Sequence, residues 1–361
     1  MKLKTLVAIL LAASLLITCQ ACVSSAPPSS APSPADPTED DFYPDDLQYQ
    51  EEPDLVDFSH LSISFNGNEI NSAFLEFYYS IAENNFINAY YYQLDEIGLS
   101  FDLPFSEQEC AFNPEMSWFD YFFQGGASNL HSEYAMCLDA RENGLSLTEE
   151  QEYEVQSFIQ DNLSAYSGDL DELNKQIKAV FGANMNLDLF EEQFRVNLIV
   201  NNWNAEFEKT LDFTEEELRA NFTDEEFEEY NYNMVNVRHI LIPEEEGAAD
   251  LLEEWKADPT EENFAMLASM YTEDTGSAET GGLYENITKG VMVPEFEEWC
   301  FDESRKPGDT GIVATDYGFH IMYFSSVGEL LWRDEALYVM KSSLVQEKIS
   351  TLMDKYPLSI S

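Results

Sequence analysis

The feature that most constrains this chain is a change of apolar period part-way along it. Before Tyr230 the apolar residues recur at helical spacing, as Phe74, Phe77, Tyr78 and Ile81 do at i, i+3, i+4 and i+7. From Val235 the pattern alternates through Val237, His239 and Leu241, which is the period of a strand. After Gly328 a helical stripe returns with Leu337, Met340, Leu344, Ile349 and Leu352. A helix with such a face needs a partner surface, and the segment 234–327 carries helices of its own to cover its strands. The spacing therefore predicts an α+β chain. A small antiparallel sheet unit is inserted in a mainly helical module, and the helix Asp334–Lys355 completes that module.

Inside the insert a helix runs from Ala248 to Lys256, and Thr260 caps a second with Phe264, Leu267 and Ala268. A polar Gly-rich loop follows at 272–282, then a short segment to Val293 and a helix opened by Pro294 that holds Phe296 and Trp299. After the turn Arg305–Asp309, Gly311–Thr315 and Phe319–Ser325 read as a hairpin. Before the insert, Ser62–Ile70 reads as a strand, an Asn66-Gly67 turn and the approach to a helix. Thr148–Gln151 and Thr214–Glu217 are capping boxes, the second opening an acidic helix or pair of helices through Tyr230. Gly98–Gln124 is rich in aromatics, has no clean period and predicts no element.

The chain carries 70 Asp and Glu against 17 Lys and Arg, a formal net charge of −53. Nucleic-acid binding rests on cations that neutralise phosphate, so this balance excludes it. Cys110, Cys137 and Cys300 have no metal-ligand spacing and the chain has 4 His, so neither a metal nor another cofactor is expected. The sequence leaves a Cys110–Cys137 disulfide open for an exported protein. Lys2 and Lys4 precede an apolar run from Leu6 to Ile17, shorter than the roughly 20 residues of a membrane-spanning helix, which reads as a signal-peptide core. Ser24–Glu52 is rich in Pro, Ser and acidic residues, the composition of a tether without a core.

Leu16-Ile17-Thr18-Cys19 resembles the lipobox of bacterial lipoproteins, which implies lipidation at Cys19, with Cys22 as the rival site. Val235–Ile242, Phe264–Ala268, Met292–Phe296 and Tyr317–Ile321 resemble, in order, the blocks of the parvulin (PpiC or rotamase) peptidyl-prolyl isomerases. The flanking arrangement resembles the extracytoplasmic foldase lipoproteins of the PrsA type and their SurA-type relatives. The resemblance implies a signal peptide at 1–18, a tether at 19–54, a helical chaperone module at 55–233, a parvulin domain at 234–328 and a completing helix at 329–361. It implies a proline pocket of Leu283, Met292 and Phe296, with His239, Asp274, Thr315 and His320 around the twisting amide. One departure stands out: where the family reads Gly-Gly-Asp-Leu-Gly, this chain has Gly281-Gly282-Leu283-Tyr284, without the Asp and with the last Gly replaced.

The implied activity is non-covalent cis-trans isomerisation of Xaa-Pro bonds in unfolded or partly folded exported polypeptides. The implied location is outside a Gram-positive cell, on the membrane through a lipid anchor. The alternative is a non-catalytic holdase that uses the parvulin unit as a peptide-binding surface.

Overall fold

The computed structural model describes residues 56–361, so the expected signal peptide, Cys19, Cys22 and the expected tether lie outside the described residues. The described chain divides into two units, 56–211 with 342–361, and 212–341.

The first unit opens with a hairpin of β1 (Ile63–Phe65) and β2 (Asn68–Ile70), turned by Asn66 and Gly67 at φ of 48° and 78°. Left-handed conformations at both turn residues are what an Asn-Gly pair supplies. Helix α1 (Ala73–Tyr90) follows, then β3 (Glu109–Cys110) and β4 (Asn113–Ser117), and then α2 (Trp118–Glu142). The segment without a clean period thus contains a short hairpin. Its aromatics, among them Phe112, Trp118 and Phe122, pack with Phe86 of α1. The unit continues with α3 (Glu149–Ala165), α4 (Leu170–Phe181) and α5 (Leu187–Glu208). Ser117 and Thr148 close capping boxes at the starts of α2 and α3.

Helices α1 and α2 approach closely because Gly126 has no side chain: a Cβ there would lie 2.7 Å from the backbone nitrogen of Tyr79. Cys110 and Cys137 are free and buried in different apolar clusters, so the disulfide that the sequence leaves open is not formed. A polar cluster also lies in the core. The Glu133 carboxylate accepts from Tyr78 Oη at 2.7 Å and Asn197 Nδ2 at 2.6 Å.

The second unit begins with two short acidic helices, α6 (Glu215–Arg219) and α7 (Asp224–Tyr230), each opened by a capping box, from Thr214 and Thr223. Then come β5 (Asn233–Ile242), α8 (Glu245–Trp255), α9 (Glu261–Tyr271), β6 (Leu283–Ile287), α10 (Pro294–Cys300), β7 (Thr310–Thr315) and β8 (Gly318–Leu330). The sheet is antiparallel throughout, in the order β6-β5-β8-β7. Alternation gives it two apolar faces. Val235, Val237, Met322 and Phe324 pack on Phe296, Trp299 and Cys300 of α10. Ile240, Ile321 and Tyr323 pack on Ala248, Leu251 and Trp255 of α8 and on Phe264, Leu267 and Ala268 of α9.

Helix α11 (Leu331–Lys355) has residues in both units: those to Lys341 belong to the second, those from Ser342 to the first. The sheet unit is therefore wider than the expected 234–328. Leu218, Trp332 and Ala336 form a small buried cluster with Phe213, Phe227 and Leu337 beside it, which ties α6, α7 and the start of α11 to this unit. Further along α11, Val345, Ile349 and Leu352 join the core of the first unit with Ala135, Val200 and Trp203. The chain ends in β9 (Leu358–Ile360), which pairs antiparallel with β1, so its last residues return to the unit that its first described residues open. No helix among the described residues is long and apolar enough to cross a membrane.

Candidate active site

The sheet brings its two histidines together by register. His239 of β5 pairs with Met322 of β8, and His320 lies two residues along β8, so both rings stand on the face covered by α10. Their Nδ1 atoms are 3.0 Å apart and their rings stack at 5.2 Å with 23° between planes. The Nε2 of His239 is 2.8 Å from Asp274 Oδ2, and the Nε2 of His320 is 2.9 Å from Thr315 Oγ1, at the end of β7. The four expected polar residues thus form one continuous hydrogen-bonded run, Thr315–His320–His239–Asp274.

The run has a direction. Burial alone would raise the Asp274 carboxyl, yet hydrogen bonds from Ser277, Tyr284 and His239 together outweigh it and hold the carboxyl at about 2. An ionised carboxylate only accepts, so the Nε2 of His239 carries the proton it donates to Asp274. Burial lowers His239 below its ordinary 6.5 despite Asp274 beside it, and burial together with the field of His239 lowers His320 to about 4, so near neutral pH both rings are uncharged. A neutral His239 protonated at Nε2 presents a bare Nδ1. His320 then donates from its Nδ1, its Nε2 is the acceptor, and Thr315 donates to that. Every proton along the run points toward Asp274.

The loop that carries Asp274 is held by its own side chains. Thr272 Oγ1 accepts from the Leu241 N–H at 3.0 Å and the Asp274 N–H at 3.2 Å, while Asp274 Oδ1 accepts from the Gly276 N–H at 3.1 Å. Ser277 donates to Asp274 Oδ2. Gly282 brings the loop against β5: its φ is 73°, a Cβ would lie 2.2 Å from the His239 carbonyl oxygen, and its own carbonyl accepts from the His239 N–H at 2.8 Å.

Of the expected pocket residues, Phe296 is buried and stands edge-on to both imidazoles, at 5.4 Å from His239 and 5.3 Å from His320. Its ring seats the pair. Met292 is half-buried against the same cluster. Leu283 does not join them. It pairs with Arg238, whose side chain reaches Glu261 on α9, so alternation directs Leu283 to the opposite face of the sheet. Tyr284 takes the place instead: it packs on the Phe296 cluster, its ring stacks on His239 at 5.0 Å and 22°, and its hydroxyl donates to Asp274 Oδ2 at 2.9 Å. The signal was present in the sequence. Laid on the chain without a gap, Gly-Gly-Asp-Leu-Gly puts its Leu on Tyr284 and its Asp on Leu283. Ser277 is a second residue of the network that sequence reasoning missed. Among the described residues no group of His, Cys, Asp and Glu could hold a metal ion.

Residues 223–326 match the family described as the PPIC-type PPIASE domain. The foldase protein PrsA of Caldanaerobacter subterraneus subsp. tengcongensis is 33% identical over 176 residues, 47% of this chain and 54% of that protein. The foldase protein PrsA 1 of Bacillus cereus is 33% identical over 138 residues, 37% of this chain and 46% of that protein. The crystal structure of PrsA from Bacillus subtilis aligns at 20% identity over 64% of this chain and 83% of that one, with a TM-score of 0.36, a likeness too loose to carry an argument. The chain spans about half the length of the curated relatives it matches. It is thus similar to PrsA-type foldases over that half, and its residues 223–326 match the PPIC-type, or parvulin, domain.

Proposed function

We propose that this chain is a peptidyl-prolyl cis-trans isomerase and foldase for exported proteins, held outside the membrane of a Gram-positive cell by a lipid on Cys19. The barrier to rotation about an Xaa-Pro bond is electronic, about 18–20 kcal/mol for an amide, and arises from resonance across C–N. Lowering it needs no nucleophile and no metal. It needs an apolar seat for the proline ring and polar groups placed around a peptide that is losing planarity, so that the twisted state is favoured over both planar ones. The apolar seat in this reading is Met292 and Tyr284 beside the buried Phe296. The polar groups are Thr315, His320, His239 and Asp274, acting through fixed dipoles and charge rather than by taking a proton from the substrate.

The observation that carries this reading is the continuous run from Thr315 to Asp274 laid against Phe296, within the residues that match the isomerase domain. In the same reading the helical unit, 56–211 with 342–361, holds partly folded clients, and the acidic surface favours uncharged or basic ones. Phosphorylated Ser-Pro or Thr-Pro substrates are disfavoured, because Glu244, Glu245 and Glu246 follow β5 where phosphate recognition would need Arg or Lys. A second reading, a holdase without catalysis, draws on Tyr284, a bulky aromatic where the family carries an aliphatic residue. A protease-coupled assay of the full chain on short Xaa-Pro peptides separates the two. Conversion faster than in buffer supports the isomerase, and conversion at the buffer rate with retained suppression of client aggregation leaves the holdase.

A further inference from the structure

We propose that Tyr284 is a positioning residue of this site: its ring fixes the plane of His239, and its hydroxyl commits Asp274 to accepting along the hydrogen-bonded run. The consequence for rate rests on the isomerase reading, whereas the structural role stands without it.

Three observations converge on this side chain. Tyr284 pairs with Val237 across β6 and β5, which turns it toward the face where His239 stands. Its ring lies at 5.0 Å and 22° to His239, so the imidazole is held between Tyr284 on one side and His320, at 5.2 Å and 23°, on the other. Its hydroxyl, 2.9 Å from Asp274 Oδ2, is one of three donors on that oxygen, with Ser277 and with His239 at 2.8 Å. Asp274 faces His239 from β5, with His320 of β8 one ring further. From its own loop it faces Thr272, the Gly276 N–H and Ser277, and from β6 it faces Tyr284.

An aliphatic residue at 284 could cover the His239 ring but could not donate to Oδ2. Without that donor the carboxylate is less strongly held in its ionised form, and the proton on the Nε2 of His239 is less firmly assigned. Tyr284 therefore joins the apolar wall to the polar run in one side chain.

The test uses the full chain and Tyr284→Phe, which keeps the ring and removes the hydroxyl. The Asp274 carboxyl is followed by carbon NMR through its acid titration, and isomerisation of an Xaa-Pro peptide is measured with kcat and KM separated. The expected results are a rise in the Asp274 midpoint and a fall in kcat of about three- to tenfold at unchanged KM, the size of one lost hydrogen bond. Tyr284→Phe should cause no further fall in an Asp274→Asn background. An Asp274 midpoint that stays where it is in Tyr284→Phe overturns the proposal, and so does an equal fall in kcat with and without the Asp274 carboxylate. If the wild-type chain has no isomerase activity, the isomerase reading fails, and the carboxyl titration alone still decides the role of Tyr284.

Discussion

Acidification from about pH 7 to about pH 4 should remove stability from the sheet unit through His320, in a window where the contribution of Asp274 is still complete. In the folded unit burial first, and the field of His239 second, lower His320 from 6.5 to about 4. A group lowered in this way binds fewer protons folded than unfolded across that window. Its stabilising contribution is therefore complete above 6.5 and is lost as the pH falls toward about 4. A drop of about 2.5 in pKa corresponds to about 3.4 kcal/mol, and a discount for solvent screening brings this to about 2 kcal/mol. Asp274, lowered to about 2, has a lower window with the same sign: its contribution is complete above 3.8 and is lost as the pH falls from there toward about 2.

The perturbation that isolates His320 is His320→Gln, which cannot titrate and keeps a polar group toward His239. Hydrogen exchange of the β5 and β8 amides reports the sheet unit by itself, and wild type minus variant cancels the many other carboxyls of this chain. The difference should shrink by about 2 kcal/mol between the two ends of the window. A difference that does not vary with pH, or a His320 ring that titrates near its ordinary 6.5, refutes the reasoning.

Other perturbations follow from single contacts. Glu76 is fully buried and accepts from the Phe58 N–H at 2.8 Å, the Asn184 N–H at 2.8 Å and Asn184 Nδ2 at 2.7 Å. Glu76→Ala should destabilise the helical unit by about 3 kcal/mol, read in hydrogen exchange of α1, with partial recovery in Glu76→Gln. Gly282→Ala should push β6 off β5, cancel the ring-current shift of Tyr284 on His239 and lower isomerisation about tenfold, while far-ultraviolet circular dichroism stays near wild type. Mass spectrometry of the mature N-terminal peptide should find the lipid on Cys19; lipid on Cys22 would revise the proposal, and an unmodified Cys19 would remove it.

Much of the sheet unit was legible because its signals are local. The alternation through Val235, Val237 and His239 marks β5, Thr260 accepts from the Asn263 N–H at the start of α9, and Pro294 opens α10. The histidine pair was legible only through the resemblance to the parvulins, since alternation fixes the face of each residue within its strand but not the register between β5 and β8. The rest depends on partners distant in the chain. β9 has three residues and exists because β1 offers an edge, which nothing near Leu358 announces. The hairpin of β3 and β4 has a strand of two residues, below any period, and its aromatics are placed by contacts with α1. The resemblance implies Leu283 in the pocket, but one residue of shift in a strand changes the face, and the pairing of β6 with β5 puts Tyr284 at the site. The unit boundary at Asp212 rather than at 234 follows from Trp332 and Leu218, whose pairing spans more than a hundred residues of sequence.

The measurement closest to the central claim is NMR exchange spectroscopy on an Ala-Pro peptide with a catalytic amount of the full chain. Exchange between cis and trans forms should run well above the uncatalysed rate and weaken in Met292→Ala, which trims the half-buried wall of the site without touching the hydrogen-bonded run. Exchange at the uncatalysed rate, in a sample whose His239 and His320 rings show the expected tautomers, would contradict it: the site would be formed as described and would not be an isomerase.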